Sequence, residues 1–223
     1  MRQLTRISRE ASSLRQRTTD ALRTAILDGV FAPGQKLSER ELCEQLDVSR
    51  PCIRESLQHL QAEGLVNIVL HRGPEVSTMN KDEVRDLYDV RTSLESLVIR
   101  GFVRHATPLQ KKAMRSCFDQ LAAQVKDGDS SQLLNTKSEF YEILIEGCGN
   151  SVVGQLLRQL NNRVTVLRRR SMSRPGRLPK MLKELDALVC ALELGHEDQA
   201  VALCTVHLQN ACAHALDMPT EVQ

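Results

Sequence analysis

Residues 33–76 read PGQKLSERELCEQLDVSRPCIRESLQHLQAEGLVNIVLHRGPEV. Their order of apolar, capping and turn residues predicts a helix, a tight turn, a second helix and a short β-hairpin. Ser38 is placed to cap the first helix, with Glu41 three residues on as the reciprocal half of a capping box. Leu37 and Leu42 have the spacing of a hydrophobic staple across that cap. Leu42 and Leu46 give the helix an apolar edge. Asp47-Val48 is long enough only for a turn. Ser49 is placed to cap the second helix, and Pro51 falls in its first turn, where a missing N–H costs nothing. Ile53, Leu57 and Leu60 form its buried stripe, and Gly64 closes it. Leu65 to Leu70 reads as a strand, and His71-Arg72-Gly73 as the tip of a wing.

The polar residues of the second helix carry the functional signal. Arg50 and Arg54 are four apart, so they share one face, roughly opposite Ile53 and Leu57. An exposed helix start with two arginines, following a short turn from a shorter helix, is the helix-turn-helix geometry that enters a DNA major groove. Arginine suits the task because its planar fork grips guanine O6 and N7, or a phosphate. An isolated pair of arginines would be read as a solvated face. The turn, the caps and the basic wing in register favour DNA.

The run from Thr18 to Val76 resembles the winged-helix domain of GntR-family bacterial transcription regulators. The matching landmarks are AILDG, PGQKLSERELCEQL, VSR, IRESL, AEGLV and RG, in order and at the family's spacing. The resemblance implies that Arg40, Arg50 and Arg54 correspond to DNA-contacting arginines and Gly73 to the wing glycine. Arg72 is expected to enter or flank a groove, and Ser49 to fix the helix start. The sequence departs from the family at Pro51-Cys52, where Thr-Pro is usual, which moves the proline by one residue.

Composition bounds the rest. A chain of 223 residues suggests one large or two small domains. Hydrophobic residues make up 41%, but with no Trp, four Phe and two Tyr the core must be aliphatic. So few rings argue against single-strand binding by base stacking. A net charge of +2 makes any nucleic-acid surface local rather than global. No apolar run reaches the length of a membrane span. The N-terminal stretch lacks the apolar centre of a signal peptide. The seven cysteines show no Cys-x-x-Cys spacing, and their odd number argues against a closed disulfide framework. A reducing cytoplasm fits best. Cys52, at the start of the reading helix, is expected to be a reduced thiol.

The expected organisation is a flexible basic arm at 1–13, a winged helix-turn-helix at 14–78, a helical domain at 79–217 and a tail at 218–223. The first helix is placed at Leu14 to Asp28. Beyond Asn80, which heads a capping box with Glu83, every element reads helical, with spans at 81–105, 108–127, 131–147, 151–172, 178–194 and 197–216. The fold class is mostly α: an N-terminal winged helix-turn-helix and a C-terminal all-α six-helix bundle. The segments LYDVRTSLES, EFYEILIEGCGN, RSMSRPGR and AVALCTVHLQNA resemble the six-helix ligand-sensing (FCD-type) domain of the FadR-like branch of the same family. The resemblance implies a dimer whose hold on DNA changes when a small organic acid binds between the helices.

Arg91 sits inside the stripe of Val84, Leu87, Leu94 and Val98, and a charge on an inward face needs a partner. Glu95, one turn on, is the nearest. The pair reads either as an internal ion pair or as a clamp for a ligand carboxylate; the resemblance favours the clamp. Many relatives hold a metal there with an Asp and three His. In this chain KSEFY puts Lys137 and Tyr141 at ligand places, Leu185 replaces another imidazole, and only His207 remains. One imidazole beside an ammonium is no site for a divalent ion, so no metal and no cofactor are expected. Lys137 and Tyr141, one turn apart, would hold an anionic effector directly, with His207 adding a hydrogen bond. The alternative is Lys137 snorkelling to water from a decayed pocket. The basic run Arg163, Arg168, Arg169, Arg170, Arg174, Arg177, Lys180 and Lys183 reads by default as a solvated face, the alternatives being a rim in part of it that attracts an anionic ligand and, less favoured, a second DNA contact.

The whole reads as a cytoplasmic, ligand-responsive transcription regulator, a repressor. It would bind a palindromic operator in double-stranded DNA as a homodimer, modulated by a small carboxylate effector and with no membrane partner. No Gly-x-Ser-x-Gly, His-x-x-x-His or comparable constellation supports an enzyme. A ligand-independent DNA-binding protein is the competing class.

Overall fold

A computed structural model of the chain describes residues 9–128 and 132–217, with side chains from Leu14 onward. Residues 1–8 of the expected arm and the expected tail, 218–223, lie outside the described residues. The described chain divides into two compact units, before and after the Thr78–Met79 junction.

The first unit holds α1 (Arg9–Leu27), α2 (Glu39–Leu46), α3 (Arg50–Ala62), β1 (Val66–Val69) and β2 (Gly73–Val76). The first helix starts earlier than the expected Leu14. Residues 9–13 continue it in polar helix-forming sequence rather than forming an arm. Ser38 caps α2, its side chain accepting from the Glu41 N–H. Leu37 and Leu42, the staple pair, are both buried. The turn after α2 is made by Asp47 in the left-handed region, φ 51°, which a short polar side chain tolerates. Ile53, Leu57 and Leu60 of α3 are buried with Leu22 and Ile26 of α1, each burial contributing about 1.5–3 kcal/mol. Thr19 on α1 donates to Ser56 on α3 across 3.0 Å inside this contact.

The wing is tighter than the sequence suggests. β1 and β2 pair antiparallel from Val66 opposite Val76 to Val69 opposite Gly73. Residues 34–37 add a third edge, because Leu37 N–H donates to Pro74 O and Val76 N–H to Gln35 O.

The second unit comprises α4 (Lys81–His105), α5 (Pro108–Asp127), α6 (Leu133–Gly147), α7 (Ser151–Met172), α8 (Arg177–Leu194) and α9 (Glu197–Leu216). Asn80 and Thr107 head full capping boxes with Glu83 and Gln110, and Asn150 caps α7 through the Val153 N–H. α4 packs on α9, α6 and α7, and α5 packs on α6 and α8. The aliphatic core includes Val98, Ile99, Leu121, Leu144, Leu167, Leu185, Leu188 and Leu208, all almost fully buried. Among the described residues, no helix is long and apolar enough to cross a membrane, and the seven cysteines are all unpaired.

Candidate DNA interface and effector cavity

α3 presents Arg50 and Arg54 to solvent while Ile53, Ser56 and Leu57 face inward. Arg40, on the first turn of α2, is exposed as well. Arg54 Nε donates to Glu39 Oε2 over 2.8 Å, so the start of α2 and the first turns of α3 lie side by side. At the wing tip Arg72 is exposed. Gly73 holds φ +83° with open space around it, so its role is conformational. Ser49 corrects one expectation: it occupies the N-cap position but makes no side-chain cap. A cap of this type accepts from the second or third helical N–H. Pro51, at the second, has none to give. The helix start is held by its fixed φ and by Ile53 N–H donating to Ser49 O.

In the second unit, α4, α6 and α7 line a small, partly open cleft whose empty space, about 420 Å³, includes open solvent. Its lining residues grade from polar to apolar along each helix: Arg91 and Glu95 before Val98 and Ile99 on α4, Tyr141 before Leu144 and Ile145 on α6. On α7 the order reverses, Leu157 first, then Asn161, Val164 and Arg168. Arg91 is 2% exposed and bonds Glu95 Oε1 through Nε at 2.9 Å and Nη2 at 2.7 Å. Burial works against its charge, but the Glu95 carboxylate outweighs that and raises the pKa above the ordinary arginine value. Its guanidinium also lies 5.0 Å from the Tyr88 ring centre. Burial pushes the Tyr141 hydroxyl above its ordinary range.

Lys137 and His207 do not line this cavity. They form a buried chain with α8. Lys137 Nζ is 3.2 Å from Met181 Sδ and 3.4 Å from His207 Nε2. His207 Nδ1 lies 2.6 Å from Glu184 Oε2. Arg177 grips Glu184 with two bonds, at 2.9 and 2.7 Å, and Asn210 adds a third donor at 2.8 Å. Burial and the neighbouring guanidiniums of Arg168, Arg177 and Arg91 push Lys137 well below its usual value. Burial, then Lys137, lowers His207 to about 3. Burial alone would raise Glu184, but the bonds from His207 and Arg177 bring it to about 2. These values describe a neutral imidazole donating from Nδ1 to a carboxylate, with Nε2 left to face Lys137.

The donor set does not fit a divalent metal. The one imidazole turns its Nε2 to an amine, and Leu185 contributes no ligand. Two cations of the expected solvated face are instead interior: Arg168 is 5% and Arg177 1% exposed. Glu184 compensates Arg177. For Arg168 the spacing held the signal, because Leu157, Val164 and Arg168 recur at seven and four residues and so share one inward stripe.

A winged helix-turn-helix joined to a helical bundle with an internal, partly charged cavity defines a class: DNA-binding regulators that carry an effector-binding domain. Residues 14–76 match the family described as "Bacterial regulatory proteins, gntR family", and residues 86–210 match the FCD domain. The chain belongs to the GntR family of bacterial transcription regulators, in the group with an FCD effector-binding domain. It is 21% identical over 194 residues to the uncharacterized HTH-type transcriptional regulator YdhC of Bacillus subtilis, covering 86% of this chain and 87% of that protein. It is 29% identical over 140 residues to the Nta operon transcriptional regulator of Aminobacter aminovorans, covering 62% of this chain and 65% of that one. The crystal structure of a GntR regulator from Rhodococcus sp. RHA1 superposes with TM-score 0.79 at 25% identity, covering 93% of this chain and 99% of that one.

Proposed function

We propose that this transcription regulator is a cytoplasmic repressor that binds a palindromic operator as a homodimer and is modulated by a small organic acid, without a metal. Arg40, Arg50, Arg54 and Arg72 supply the DNA contacts, with Gly73 shaping the wing and Ser49 marking the helix start. In the bundle, Arg91 and Tyr141 face the effector. Lys137, one turn from Tyr141, and His207 back them from the adjoining cluster with Glu184. The observation that carries this reading is the partly open cleft between α4, α6 and α7, lined by the buried cations Arg91 and Arg168.

The test is DNA binding at fixed salt with and without a panel of small carboxylates, on protein never exposed to chelator. At least one carboxylate is expected to change operator affinity tenfold or more, in protein carrying well below one equivalent of Zn, Ni or Mn. A regulator that binds DNA identically in every acid would be ligand-independent.

A further inference from the structure

Arg168 is the unbalanced group of the cavity. Its side chain lies deep in the bundle, yet no carboxylate bonds it among the described residues. Nη1 donates to Ser138 Oγ at 2.9 Å, and the guanidinium stacks 4.7 Å from the Tyr141 ring centre. Nε is buried with no hydrogen-bond partner, and so is the Tyr141 hydroxyl. Burial, then the field of Arg91, lowers the Arg168 pKa. The neighbouring Arg91 is already answered by Glu95. A buried cation without a counter-ion is costly, and two idle donors on adjacent lining residues mark where an anion would relieve that cost.

The rest of the cavity limits what the anion can be attached to. Arg91, Arg168 and Glu95 sum to one positive charge, which one carboxylate cancels. From Arg91 to Ile99 the α4 wall runs about 12 Å at the usual helical rise. Beyond the charged end that wall becomes Val98 and Ile99, faced by Leu144 and Leu157. Asn161, exposed, and Ile145, half-buried, lie toward the other end. A second carboxylate or a row of hydroxyls would meet mainly aliphatic side chains, with Asn161 the one polar lining residue beyond the charged end.

Building on the effector reading above, we propose that the effector is a monocarboxylate with an apolar body, seated carboxylate first, its carboxylate held by Arg168 Nε and the Tyr141 hydroxyl. Arg168 rather than Lys137 is then the anchoring cation.

The experiment is calorimetric titration of the full chain with hexanoate, phenylacetate, succinate and gluconate, beside thermal melting of Arg168→Met and Tyr141→Phe. Hexanoate or phenylacetate is expected to bind at least tenfold more tightly than succinate or gluconate. Arg168→Met should lose that binding tenfold or more while the ligand-free protein melts no lower than wild type, since a buried unpaired charge has been removed. Tyr141→Phe, which deletes only the idle hydroxyl, should weaken binding several-fold at unchanged melting temperature. Preference for succinate or gluconate would overturn the inference and leave the effector reading standing. Heat from none of the four acids would overturn both. Unchanged hexanoate affinity in Tyr141→Phe, or in a folded Arg168→Met, would overturn the assignment of the anchor.

Discussion

Arg50 and Arg54 point away from the α1–α3 core, so changing them tests recognition with little effect on folding. Arg50→Ala or Arg54→Ala should weaken operator binding by about 1–3 kcal/mol each, read by binding at fixed salt beside a melt that stays at the wild-type temperature. Arg54 must exchange Glu39 for DNA, but an exposed pair of this kind is worth only ~0–1 kcal/mol. In the bundle the residue with a distinctive signature is His207. Its folded pKa of about 3 lies below the ordinary 6.5. The unfolded chain therefore takes up the proton first as pH falls, and stability drops from about 6.5 downward, by at most ~1.4 kcal/mol per pH unit for this one proton. Glu184, at about 2 against 4.5, adds a loss of the same sign below 4.5. Replacing His207 by Gln should flatten the stability profile between pH 6.5 and 4.5, measured by denaturant unfolding; an unaltered slope would place the titration elsewhere. Arg91 could be picked out in the sequence because it interrupts an aliphatic stripe. Arg168 was obscured by the arginines around it in the chain, although its spacing from Leu157 and Val164 sets it on the inward stripe.

Most elements were legible because their ends carry chemistry. Asn80, Thr107 and Asn150 cap, and Gly128 and Gly195 take the left-handed conformation that stops α5 and α8. The start of α1 was hidden because residues 9–13 offer neither cap nor apolar period. The pairing of residues 34–37 with β2 was equally hidden, since Pro33-Gly34 reads locally as a turn. A close approach of α4 to α6 was also silent in the sequence. A Cβ on Gly101 of α4 would stand 2.2 Å from the Cys148 carbonyl oxygen at the end of α6, and one on Gly147 would stand 2.6 Å from the Phe102 ring. Backbone cannot swing aside as a side chain can, so Gly101→Ala should destabilise the second unit by about 1–3 kcal/mol or more. A denaturant midpoint equal to wild type would show that α4 and α6 are free to separate.

At the scale of the molecule, a net charge of +2 makes any basic surface local rather than global, so affinity for DNA has to come from local cations and, in the proposed homodimer, from two reading heads. A homodimer brings the heads together with two-fold symmetry, and symmetric heads read symmetric sites. The bound DNA itself therefore carries the decisive information. The measurement is selection of bound duplexes by the full-length protein from a randomised pool at physiological salt, followed by sequencing. The expected result is strong enrichment of one inverted repeat whose half-sites are related by the two-fold axis, absent when Arg50 and Arg54 are both alanine. A pool that emerges with no enriched sequence, or with the same motif from the double variant, would contradict the assignment of α3 as the reading helix of a dimeric regulator.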